Sequence, residues 1–274
     1  MPLTKVQSRI LRLLAVHRNP ESYVAGSTPL NRDQPRISED IDIFHDREER
    51  VAQAAEEDAA ALQTEGFDVT WLRRQPATYS AEIRSGNERT HLEWVADSDF
   101  RFFPTVKDEL FGYMLHPIDL ATNKVMAAAG RQKAADAVDL LTIHTHVLPL
   151  GAVIWAAVEK APGYTPEGLI AEIRRSAMRY REEDLRSVPS NELYDPKIFH
   201  SRLRAALDEA EAFVLRMPTE EIGLLFLKDG KVVQPDPDHL KDYVTHAGRR
   251  RGHWPTSTEI SAAMLQRYKE SPPP

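Results

Sequence analysis

Two carboxylates stand two residues apart in Ile37-Ser38-Glu39-Asp40-Ile41-Asp42-Ile43-Phe44. Alternating with Ile41 and Ile43, they read as one face of a short strand, because strand side chains point to opposite sides in turn. Asp40 and Asp42 then project together, about 7 Å apart along the backbone. Paired oxygen ligands of this kind suit Mg²⁺. Shortly before them, Tyr23-Val24-Ala25 reads as a strand running into Gly26-Ser27-Thr28, a small-residue turn whose N–H groups can meet a phosphate. In that order the two pieces suit nucleotidyl transfer, which needs charge neutralisation and in-line geometry more than covalent help. Two ions about 4 Å apart would activate the attacking oxygen and stabilise the leaving pyrophosphate. That chemistry asks for a third carboxylate on a neighbouring strand. Glu93, in His91-Leu92-Glu93-Trp94-Val95, has that setting, and Asp97 and Asp99 compete for it in the loop beyond. An Asp-x-Asp pair alone also fits a solvated strand face or a sugar-nucleotide glycosyltransferase; the Gly-Ser turn ahead of it favours nucleotidyl transfer.

A second group of polar residues follows: Asp119-Leu120-Ala121-Thr122-Asn123-Lys124, Arg131, Asp136 and Asp139. Lys124 lies in a largely apolar helical stretch, Leu120 to Ala129. A lysine buried there needs an anionic partner, either Asp136 or a triphosphate. An ion-paired helical hairpin accounts equally well for Arg131 and Asp139.

The elements that must position these residues follow from periodicity. Val6, Ile10, Leu13 and Leu14 mark a first helix. Asp46 suits an N-cap, with Glu48 and Glu49 in the first turn of an alanine-rich helix closed by Gly66. Phe67–Leu72, Thr78–Ile83 and Arg89–Val95 read as strands, the last two joined at Ser85-Gly86-Asn87-Glu88. Together these predict a mixed sheet of four or five strands covered by helices. Pro117 fits the first position of a helix to about Ala129. Helices over Ala134–His144, Leu148–Glu159, Pro166–Arg181 and Lys197–Met217 follow. A small hairpin around Lys228-Asp229-Gly230 and a helix over Ser257–Tyr268 complete the chain.

At 274 residues the chain can bury a substantial core, and its composition, 42% hydrophobic and 28% charged, is globular. The absence of cysteine removes disulfides, thiolate metal sites and a cysteine nucleophile, and fits a reducing cytoplasm. Val147–Val158, the longest apolar stretch, is too short to span a bilayer, so no membrane partner is expected. A net charge of −7 argues against a broadly basic nucleic-acid-coating surface. His144 and His146 lack a carboxylate at zinc-site spacing and read as surface or capping residues. Arg249-Arg250-Arg251 reads as a solvated basic run.

Taken as a set, these motifs resemble the AbiEii family of nucleotidyltransferase-like toxins from type IV toxin–antitoxin systems, including its MenA-like relatives. The resemblance spans about residues 20 to 145. It rests on Gly26-Ser27-Thr28-Pro29-Leu30, on Ser38-Glu39-Asp40-Ile41-Asp42-Ile43-Phe44, on Asp119 through Lys124, and on Arg131 with Asp136-Ala137-Val138-Asp139. Pro29 departs from the small residue usual in the turn. The resemblance implies a nucleotidyltransferase core, Mg²⁺ at Asp40 and Asp42, and phosphate contacts at Ser27 and Lys124. It also implies a catalytic or supporting role for Asp136, a nucleoside triphosphate substrate, a cognate antitoxin partner and, for some relatives, nucleotide addition to tRNA.

The expectation is therefore an α/β (α+β) fold, a nucleotidyltransferase-like mixed sheet flanked by helices and followed by a helical domain. Its divisions would be a core over residues 1–112, a helical domain over 113–217 contributing Lys124 and Asp136, and a hairpin, helix and tail over 218–274. The expected site comprises Gly26, Ser27, Asp40, Asp42, Glu93, Lys124 and Asp136.

Overall fold

Ile41 and Ile43 turn into the protein while Asp40, Asp42 and Phe44 stay half-exposed, so strand β2 (Asp40–His45) keeps the period-two alternation of its sequence. The computed structural model describes residues 3–161, 163–191 and 195–250. Around β2 lies a seven-stranded mixed sheet containing β1 (Ser22–Ala25), β3 (Asp68–Gln75), β4 (Thr78–Ser85), β5 (Glu88–Ala96), β7 (Val106–Asp108) and β8 (Gly112–Met114), in the order β3-β4-β5-β2-β1-β8-β7. β2 runs parallel to β5 and antiparallel to β1. The sheet is wider than the four or five strands expected. β7 and β8 have three residues each, too few to show a periodicity, and are held by pairing to each other and to β1.

One face of the sheet is covered by α1 (Lys5–Leu14) and α3 (Glu48–Thr64), whose Ile10, Val51 and Leu62 pack on Ile41, Ile43 and Trp94. α1 begins with a capping box between Thr4 and Gln7. α3 ends at Gly66, whose φ of +81° suits the left-handed C′ position. Asp46 does not cap α3, contrary to expectation. Its carboxylate takes two bonds from Arg101, at 2.8 and 3.1 Å, and one from the Tyr23 hydroxyl. Arg101 belongs to the two-residue strand β6 (Phe100–Arg101); a buried bidentate arginine outcompetes a cap at a helix end. Asp58, fully buried on α3, accepts from Arg18 Nη2, His17 Nδ1 and Trp94 Nε1, each at 2.7 Å.

The second core is helical: α4 (Pro117–Gly130), α5 (Ala134–His146), α6 (Leu150–Ala157), α7 (Pro166–Ala177), the short α8 (Glu182–Arg186) and α9 (Pro196–Arg216). Pro117 takes the first turn of α4 as expected, and every residue of α6 is buried. Tyr23 and Ala25 of β1 belong to this core, whereas Val24 between them belongs to the α1/α3 core. Beyond α9, β9 (Leu225–Lys228) pairs with β10 (Lys231–Val233) as the expected hairpin, and also with β11 (Val244–His246). Arg249 and Arg250 of the basic run are exposed, as expected, and form the short strand β12, paired with β6. The helix expected over Ser257–Tyr268 lies outside the described residues. Among the described residues no single helix is long and apolar enough to cross a membrane.

Candidate active site

Gly26 follows β1 with φ +70° and ψ −148°, a backbone conformation that side-chain-bearing residues rarely adopt. A Cβ there would lie 1.8 Å from Asp42 Oδ2, so only glycine lets the turn press against that carboxylate. Ser27–Leu30 form a single buried helical turn, α2. The Thr28 and Ser38 hydroxyls both donate to the Asp40 carbonyl, at 2.6 and 2.9 Å, and fix the start of β2 against this turn.

Parallel pairing places Glu93 of β5 beside Asp42 of β2. Asp40, Asp42 and Glu93 thus line one cleft of about 420 Å³, together with Gly26, Ser27 and Lys124. Asp97 and Asp99 do not line it: Asp97 is held near Lys160, Asp46 and Arg101, and Asp99 pairs with Arg250 at 3.7 Å. Burial, then Glu93, then Asp40 push the Asp42 carboxyl up to about 6. Asp40 lies between His91 Nδ1 (3.4 Å) and Lys133 Nζ (3.7 Å).

The opposite wall is α4. Leu120, Asn123, Lys124 and Ala127 share the face that meets the cleft. Lys124 Nζ donates to Asp136 Oδ1 at 2.7 Å and to Ser27 Oγ at 3.0 Å, and lies 3.0 Å from Asp139 Oδ2. Burial opposes its charge, but Asp139 and Asp136 outweigh that and hold the ammonium above the usual lysine value. Asp136, behind Lys124, also accepts from Arg131 Nε at 2.7 Å; burial is outweighed by Arg131 and Lys124, which hold this carboxyl below the usual range. Asp139 accepts from Ser27 Oγ and Asn31 Nδ2 and lies 3.3 Å from Arg36 Nε. Of the two partners expected for Lys124, the aspartate is present, and the ammonium also lines the cleft.

Four contributors were not among the expected site residues. Arg36 is buried, lines the cleft and donates to Ser27 Oγ at 3.3 Å, while its Nη1 makes no hydrogen bond. Lys133 and Asn123 also line the cleft, and His91 flanks Asp40. Each stands among other polar residues in the sequence, and only the fold brings it to the site.

The donors fit magnesium in kind. They are carboxylate oxygens, and the raised Asp42 marks negative charge that a divalent cation would relieve. Among the described residues no three His, Asp or Glu groups already converge on one point, in keeping with Asp40 lying against Lys133 and His91. The cleft is thus a carboxylate-bearing sheet face opposed by a cationic helix face, with a small-residue turn between them. Such a site can take an anionic, metal-associated ligand such as a polyphosphate.

No protein-family model and no curated protein matches the chain. Among solved structures, the chain is similar to MenT4, a nucleotidyltransferase toxin from Mycobacterium tuberculosis H37Rv, with a TM-score of 0.53 at 14% identity, over 78% of this chain and 83% of that one. A cytoplasmic RNA terminal U-transferase aligns over 97% of this chain and 84% of its own at 13% identity, but with a TM-score of 0.29 it has no bearing on the site. The fold of this chain, a mixed α/β sheet flanked by helices, is nucleotidyltransferase-like.

Proposed function

We propose that the protein is a Mg²⁺-dependent nucleotidyltransferase that moves a nucleoside monophosphate from a triphosphate to an acceptor hydroxyl. The observation that carries this reading is the rung Asp42–Glu93, joined by Asp40 on one sheet face and opposed by Lys124 and Arg131 across a single cleft. Asp40, Asp42 and Glu93 would hold the metal, which when bound supplies charge neutralisation for the attacking oxygen and the leaving pyrophosphate. The protein's own groups bind and orient. Ser27 and the Gly26 turn meet the phosphates, Lys124 and Arg131 balance their charge, and Asp136 and Asp139 keep the Lys124 ammonium protonated and aimed. As the acceptor oxygen bonds to the α-phosphorus, the bond to the bridging oxygen of pyrophosphate breaks. The hydroxyl proton passes to a carboxylate of the sheet face.

The family resemblance of the motifs, and a fold shared with a nucleotidyltransferase toxin, support a toxin whose acceptor is tRNA and whose partner is a cognate antitoxin. The acidic net charge instead favours a small molecule or a protein as acceptor. Purified protein incubated with Mg²⁺ and each labelled nucleoside triphosphate, with and without total tRNA, separates these. Label on tRNA with pyrophosphate release, both lost in Asp42→Asn, is the expected result. Label on protein or small molecules would move the acceptor to those classes. Absence of pyrophosphate under every condition would overturn transferase activity and leave a partner-binding scaffold.

A further inference from the structure

Resting on the nucleotidyl-transfer reading, we propose that Asn123 selects the base, so that the cleft prefers triphosphates whose base carries a ring carbonyl (guanine, uracil or cytosine) over adenosine triphosphate.

The cleft changes character along its length. Side chains two apart on a strand share a face, so Phe44 follows Asp42, and its register partner Val95 follows Glu93, about 7 Å further on. On α4, Leu120 lies one turn ahead of Lys124. Asn123, next to Lys124 in the chain, is drawn toward the Leu120 end by Lys160, which binds both it and Asp119 in the first turn. Lys133 lies against Asp40, and Lys124 against Ser27, next to the Gly26–Asp42 contact. These contacts align the two rows, so Phe44 and Val95 come to the end that carries Leu120 and Asn123. Phosphates belong at the cationic end, which leaves the apolar end for the base.

Asn123 is the polar group at that end, and its orientation is fixed. Its Oδ1 accepts from Lys160 Nζ at 2.7 Å. Lys160 is itself anchored 2.9 Å from Asp119 Oδ1, and Asp119 is fully buried and bound to the Phe102 and Phe103 N–H groups. An ammonium only donates, so the amide oxygen must face it, and the Nδ2 group is what remains for a ligand. That group only donates. A carbonyl oxygen projects beyond the ring edge with two lone pairs and is its natural partner. An asparagine reads adenine by accepting from its amine through Oδ1 while donating to N7. Here Oδ1 is already taken by Lys160, so adenine's amine would meet a donor.

Equilibrium binding of the four nucleoside triphosphates in Mg²⁺, without acceptor, tests this. ATP is expected to bind about tenfold more weakly than the best of the other three. The preference should vanish in Asn123→Ala. It should vanish or reverse in Asn123→Asp, which keeps the bond from Lys160 but offers an acceptor. Four affinities within twofold, or a preference unchanged in Asn123→Asp, would overturn the selection while leaving the transferase reading intact. Failure of the wild-type protein to bind any of the four would overturn both.

Discussion

Asp42 is a residue the metal-free protein would be more stable without. Burial and two neighbouring carboxylates raise its carboxyl from an ordinary value near 4 to about 6. For an acid, a pKa higher in the folded than in the unfolded chain means that ionisation opposes folding. The penalty is absent below about pH 4, develops between pH 4 and 6, and is complete above that. A rise of that size corresponds to about 3 kcal/mol at neutral pH. This is an upper value, because the carboxylate still meets the water of the cleft. Asp42→Asn preserves shape and removes the charge, so in chelator it should raise unfolding stability at pH 7.5 by up to about 3 kcal/mol and change little at pH 4. Mg²⁺ should reverse the order, stabilising the wild-type protein and leaving Asp42→Asn unmoved. Urea unfolding at several pH values, with chelator and with Mg²⁺, reads both effects. Equal stability of the two proteins at pH 7.5 in chelator, or a gain independent of pH, would refute the electrostatic argument.

Gly26→Ala should lose most nucleotidyl transfer and about 1–3 kcal/mol of stability, because it combines a strained φ with a 1.8 Å clash against Asp42; wild-type behaviour in urea unfolding and in transfer assays would sink that account. Asp58→Ala should cost about 3–5 kcal/mol, since it leaves Arg18 buried without its counter-ion and Trp94 Nε1 without its acceptor. A loss under about 1 kcal/mol by calorimetry would show that the Arg18 charge is compensated elsewhere.

What the sequence disclosed was whatever repeats with a period or sits at a turn with special geometry. The alternation of Asp40 to Phe44, Pro117 at the start of α4 and the Gly86 hairpin were all legible for that reason. Short strands such as β6, β7 and β8 were not, because two or three residues carry no period and their pairing is decided by distant neighbours. Asp46 shows the same limit from the other side: the local pattern suited a cap, and Arg101, far along the chain, claimed the carboxylate. In the cleft, Asp40, Asp42 and Lys124 stood out against apolar surroundings. Arg36, His91, Asn123 and Lys133 stood in ordinary polar company, and their positions depend on the pairing of β2 with β5 and the packing of α4 over both.

Lys124 has one more consequence. A single ammonium touches Ser27 on the turn after β1 and two aspartates on α5, while β1 sends Val24 into one core and Tyr23 and Ala25 into the other. Prising the helices from the sheet would break the Lys124–Ser27 bond, the bonds of Ser27 and Asn31 to Asp139 and the buried Arg36–Asp139 pair at the same moment as it uncovered Tyr23 and Ala25 of β1. The cleft walls are therefore stitched together before any substrate arrives. Opening and melting become nearly the same event, so any ligand of the cleft has to enter and leave through its mouth rather than past a swinging hinge.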